Sequence, residues 1–107
     1  MKLKPKFKLW LEMDGKPIIG EGKADLLMEI YETGSLSAAA RNLNISYRHA
    51  HEMVSELNER CGMEIIATEV GGASGGGTRL TKKGRKLVES YLAMKDGLEN
   101  WLESQTI

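Results

Sequence analysis

The stretch GSLSAAARNLNISYRHAHEM, residues 34–53, decides how this chain folds. Ser37 stands where a side-chain oxygen can cap a short helix, Ala38-Ala39-Ala40-Arg41-Asn42-Leu43, by accepting from its first backbone N–H groups. Alanine has the best helix propensity, and three in a row leave a smooth surface that a second helix can approach closely. Asn44 follows, and asparagine is the non-glycine residue that most readily takes the left-handed conformation ending a helix in a tight turn. Ser46 is a second N-cap, opening a helix from Tyr47 to about Arg60 that stops at Gly62. Two helices joined by so short a turn make a helix-turn-helix.

At about 100° per residue the second helix divides into two sides. Ala50, Met53, Val54 and Leu57 share one of them. Arg48, Glu52 and Ser55 point away, with His51 between and Tyr47 at the edge. The hydrogen-bonding groups therefore cluster in the first two turns, the part of a recognition helix that meets base edges.

Outward from this unit the pattern changes. Leu3, Phe7, Leu9, Leu11 and Met13 alternate with Lys2, Lys4, Lys6, Lys8 and Glu12, the period of a half-buried strand. Asp14-Gly15 is a two-residue hairpin turn, and residues 16–19 supply a short return strand. Trp10 interrupts the polar side and is expected to lean on a neighbouring element. Ala24, Leu27, Met28 and Tyr31 then follow helical spacing up to Gly34, with Leu26 and Ile30 as a second apolar row. Apolar residues on two sides mean that this helix is centrally packed or touches another subunit.

Residues 64–70 read as a strand and Thr78-Arg79-Leu80 as its partner, with a glycine-rich stretch between. Thr81 caps a last helix whose Leu87, Tyr91, Met94, Leu98 and Trp101 are spaced four, three, four, three. That row can be a core stripe, a dimer contact, or each along different turns. The fold class is mainly α with small β (α+β), in one domain over 1–107: hairpin 1–19, helix-turn-helix 37–61, wing 64–80 and C-terminal helix 81–104.

Composition narrows the function classes. The 107 residues are 41% hydrophobic and 28% charged, with a single cysteine, Cys61. One cysteine excludes an internal disulfide framework and suits a reducing cytoplasm. No apolar run approaches the roughly 18 residues of a membrane span, and the basic start lacks the apolar core of a signal peptide. Net charge is zero, which argues against a nucleic-acid partner, yet the charges separate along the chain. Arg79, Lys82, Lys83, Arg85 and Lys86 lie together with no acid between Val70 and Val88. A local basic patch of that kind steers association even on a neutral protein.

The glycines of 71–77 do not make a nucleotide loop. Gly77 stands where a phosphate-binding loop needs lysine, and a strand rather than a helix follows. His49 and His51 diverge by about 200° on a helix and cannot share a metal ion. No catalytic constellation stands out, so no enzyme activity, cofactor or metal is expected, and no small-molecule ligand is identifiable. A hairpin tip fits the glycines better, since it brings unencumbered N–H donors close to phosphates.

Residues 34–41 with 43–46 resemble the helix-turn-helix shared by many bacterial and archaeal regulators, including the LysR type. Ser46-Tyr47-Arg48-x-Ala50-x-Glu52 is similar to the recognition-helix entry of ModE-type molybdate-responsive transcription regulators. Residues 71–81, followed by Gly84, resemble the glycine-rich wing of that family. The resemblance runs over roughly residues 6 to 95. Asn44 replaces a usual glycine, which the left-handed turn tolerates, and His51 replaces a large aromatic, so base preference is expected to differ. Family members carry a molybdate-binding module beyond this domain. The resemblance implies the DNA-binding half alone, without molybdate sensing.

Together these features imply a winged helix-turn-helix regulator of double-stranded DNA, cytoplasmic and homodimeric through its first and last helices. Ser46, Tyr47, Arg48, His51, Glu52 and Ser55 are expected at DNA on the recognition helix. Arg48 would pair with guanine, and Glu52 would accept from cytosine or orient Arg48. Gly75, Gly76, Gly77 and Arg79 of the wing, with Lys82 and Lys83, would take phosphates or the minor-groove edge. The alternative is a winged-helix module that binds another protein.

Overall fold

A computed structural model of the chain describes residues 3–69 and 77–105. The element order is β1 (Leu11–Met13), β2 (Lys16–Ile19), α1 (Glu21–Thr33), α2 (Leu36–Asn42), α3 (Tyr47–Cys61), β3 (Ile66–Glu69), β4 (Gly77–Leu80) and α4 (Lys82–Glu103). This is the expected winged helix-turn-helix with an N-terminal hairpin and a long last helix.

α1 is the hub. It packs against α2, α4, β2 and β4, and its Ala24, Leu26, Leu27 and Ile30 are all buried. The second apolar row therefore serves the core of this chain, because helices and strands approach α1 from more than one side. Tyr31 alone of its large apolar residues stays outside, 57% exposed. Lys23 of α1 reaches Glu56 of α3 at 3.1 Å, and Glu56 also meets Arg60 at 2.9 Å.

The turn between α2 and α3 closes as the residue types require. Asn44 has φ 58°. Leu43 N–H donates to Ala39 O at 3.1 Å, and Ile45 N–H to Ala40 O at 3.0 Å. The N-cap of α2 is Ser35, not Ser37: its Oγ accepts from Ala38 N–H at 3.1 Å. Leu36 is buried and already helical, so the cap falls before it, and Ser37 instead points out to meet Ser35 Oγ at 3.1 Å.

The N-terminal hairpin is shorter than its alternation implies. Asp14 and Gly15 both have positive φ, 52° and 79°, as a two-residue hairpin turn demands. Pairing then runs only from Met13↔Lys16 to Leu11↔Ile19, with an irregularity between Leu11 and Glu12. β2 ends at Ile19 because Gly20 opens α1, so residues 3–10 have no strand to pair with. They run beside α4, where Tyr91 Oη donates to Leu9 O at 3.0 Å. Trp10 does not lean inward. It is 52% exposed and donates from Nε1 to Glu12 at 2.7 Å.

α4 joins the domain by its first half. Val88 and Tyr91 are buried and Leu87 is half-buried, whereas Met94, Leu98 and Trp101 are 48%, 39% and 60% exposed. The heptad row is thus core at one end and surface at the other, because the other elements cover only the near half. Among the described residues no helix is long and apolar enough to cross a membrane.

Candidate nucleic-acid interface

α3 carries the first part of the interface. Ser46 caps it, with Oγ accepting from His49 N–H at 3.0 Å, so this serine works on its own helix. Ala50, Val54, Leu57 and Cys61 are buried, which turns the opposite side outward. Tyr47, Arg48, His51, Glu52 and Ser55 are all exposed there. Within that side two pairs form one turn apart. Arg48 Nε donates to Glu52 Oε1 at 3.3 Å, and the rings of Tyr47 and His51 lie 6.2 Å apart, tilted by 34°.

The wing is the second part. β3 and β4 pair antiparallel from Ile66↔Leu80 to Glu69↔Gly77. Thr78 and Leu80 are buried, and Arg79, between them, is exposed. Two bonds fix the base of the hairpin. Thr78 N–H donates to Gly34 O at 3.0 Å, tying β4 to the loop that begins the helix-turn-helix. Thr81 Oγ1 donates to Glu64 O at 2.7 Å while accepting from Gly84 N–H at 3.1 Å, tying the start of α4 to the start of the wing. Gly77 also approaches Gly34, whose carbonyl oxygen a Cβ on Gly77 would meet at 3.2 Å. Gly75 and Gly76, the other expected wing contacts, lie outside the described residues.

Lys82 and Lys83 are exposed on the first turn of α4 but do not share one direction. Successive helical residues diverge by about 100°. Lys83 borders, with Lys86, an apolar groove floored by Met13, Met63 and Leu87.

Two contributors escape any sequence reading. Asn58 lies on α3 where an exposed polar residue would be assumed. Its Oδ1 accepts from Ile65 N–H at 2.8 Å and Ile66 N–H at 3.1 Å, and its Nδ2 donates to Ile66 O at 3.1 Å. It clamps the far end of the recognition helix to the wing. Arg85 lies over the Tyr31 ring at 5.7 Å, a cation–π contact between α4 and α1. Its charge was legible in the sequence; its seat on Tyr31 was not.

Lys23 and then Arg60 hold the Glu56 carboxyl below its ordinary value, and burial raises the Cys61 thiol and the Tyr91 hydroxyl.

The model of the bacterial regulatory helix-turn-helix protein, lysR family, matches residues 23–85. The chain is 37% identical over 86 residues to the molybdenum-pterin-binding protein MopB of Rhodobacter capsulatus, covering 80% of this chain and 32% of that protein. It is 31% identical over 83 residues to the DNA-binding transcriptional dual regulator ModE of Escherichia coli, covering 78% and 32%. The chain thus spans about a third of the length of the curated relatives it matches. Among solved structures, Lactococcus lactis ZitR aligns with a TM-score of 0.61 at 21% identity, over 94% of this chain and 68% of that one. ArgP from Mycobacterium tuberculosis aligns at 0.55 and 20%, over 76% and 30%. At those identities the structural likeness establishes the shared fold. The match over residues 23–85 and the similarity to ModE and MopB establish the lineage: this chain belongs to the lysR family of bacterial regulatory helix-turn-helix proteins, in its ModE-like form.

Proposed function

We propose that this chain is the DNA-binding part of a transcriptional regulator, with α3 in the major groove and the wing on the adjacent backbone. One observation carries the reading: the outward side of α3 presents Tyr47, Arg48, His51, Glu52 and Ser55 from its first three turns, on a scaffold shared with DNA-binding regulators. Major-groove recognition needs that density of donors and acceptors at the N-terminal end of a helix. Tyr47, Gly77, Arg79 and Lys82 serve phosphates or the minor-groove edge, with Gly75 and Gly76 in the same role, whereas Lys83 lies beside the N-terminal hairpin and the far end of α3 and is left out of the contact. Ser46 supports the surface by holding the helix start.

The chain acts as a homodimer, so that two recognition helices meet a pseudo-palindromic site. α4 supplies most of the contact through Met94, Leu98 and Trp101, and α1 contributes near Tyr31. Its work is binding rather than catalysis, and its compartment is the cytoplasm, with the DNA. Molybdenum, which the relatives' names mention, is not part of the reading.

Selection of bound sequences from random duplex DNA at a stated salt concentration tests the proposal. Enrichment of a two-fold-symmetric site is the expected result. A protein that selects no sequence would instead be a winged-helix module for protein partners.

A further inference from the structure

We propose that Glu52 sets the base preference of α3 by positioning Arg48, without reading DNA itself. The inference rests on the DNA-binding role proposed above and names the residue that makes it specific. An arginine offers five N–H donors on one flat group, and pairing with guanine uses two of them, side by side. In Arg48 the Nε edge is already occupied, donating to Glu52 Oε1 at 3.3 Å. That leaves the paired Nη groups at the far end of the plane outside this contact. Without the carboxylate, a side chain 90% exposed on a flexible stem would swing between bases and phosphates.

The pair has no evident stabilising purpose. Both side chains are largely exposed, 90% and 61%. The order is also the weaker one for an i,i+4 helix pair, with the base N-terminal to the acid. A carboxylate in the second turn of a helix that approaches a polyanion weakens binding to every sequence. An acid there is explained if it restricts the arginine beside it to one geometry. Tyr47 and His51 occupy the neighbouring strip of the same helix, on the other side of Arg48 from Glu52.

The test measures binding to the selected site and to versions with each base pair changed, for wild type, Arg48→Ala, Glu52→Ala, Glu52→Gln and the double Ala variant. Wild type should discriminate by about tenfold or more at the Arg48 position. Glu52→Ala should lose most of that discrimination at the same position while binding unrelated DNA at least as tightly. Glu52→Gln should retain part of it, since its amide oxygen can still accept from Nε. The double variant should discriminate no worse than Arg48→Ala alone, the non-additivity of two residues acting as one. Melting temperatures should match throughout, because both positions are exposed. Unchanged preference in Glu52→Ala overturns the proposal. So does a loss at a different base pair that adds to the Arg48→Ala loss, which would mean that Glu52 reads a base directly. A wild-type protein that selects no sequence overturns the DNA-binding role first, before any variant is compared.

Discussion

Asn58 shows how much one side chain can carry in a domain this small. It serves three backbone groups, two N–H and one carbonyl, where the wing leaves α3. Removing it leaves partly buried backbone polar atoms without partners, at a cost of about 1–3 kcal/mol. Asn58→Ala should lower the urea midpoint accordingly, whereas Ser55→Ala, on the exposed side, should leave it within about 0.5 kcal/mol. Glu56 is the residue through which pH acts on the packing of α1 against α3. Lys23 and Arg60 depress its folded pKa below the ordinary 4.5. Its contribution is therefore present above that value and lost as pH falls through the lower folded one. Denaturation of wild type against Glu56→Gln should show a gap near neutral pH that narrows as pH falls below 4.5. A gap that widens in acid would reverse the assignment.

At the scale of elements, the wing and α4 share the apolar core and are also joined by a close backbone approach. Gly84 lies in the first turn of α4, and a Cβ there would collide with the Ile65 carbonyl oxygen. Gly84→Ala, in spite of alanine's better helix propensity, should destabilise by about 1–3 kcal/mol through forced backbone movement. The measurement is again a denaturation midpoint, and a stabilised variant would contradict the packing. The same turn carries Lys82, proposed at a phosphate. Lys82→Ala should weaken binding to all sequences alike and reduce the slope of log affinity against log salt by about one. An unchanged slope would remove Lys82 from the interface.

The whole molecule separates its charges although they sum to zero. It also leaves an apolar row uncovered on the outer half of α4, at Met94, Leu98 and Trp101. A charge in the middle of a dimer contact is costly to desolvate, so Leu98→Glu should yield a monomer in sedimentation velocity and reduce DNA affinity. Its fold should survive, because Leu98 is 39% exposed in the single chain. A wild-type protein that sediments as a monomer at high concentration would refute the dimer.

The sequence by itself determined whatever depends on neighbours along the chain. Asn44 and Gly34 at left-handed turns, Ser46 and Thr81 as caps, and the apolar side of α3 follow from backbone sterics and helical period, and all were legible. So was the exposed row at the start of α3, because a helix that buries Ala50, Val54 and Leu57 must turn Arg48 and Glu52 outward. Tertiary structure decided the rest. Alternation over residues 3–13 implied a first strand longer than the return strand of residues 16–19 can pair, and a strand forms only as far as its partner extends. Spacing could not separate the buried from the exposed half of the α4 row, which depends on what packs against it. Asn58 and the seat of Arg85 on Tyr31 join residues from separate elements. Such contacts exist only once the packing has brought those elements together.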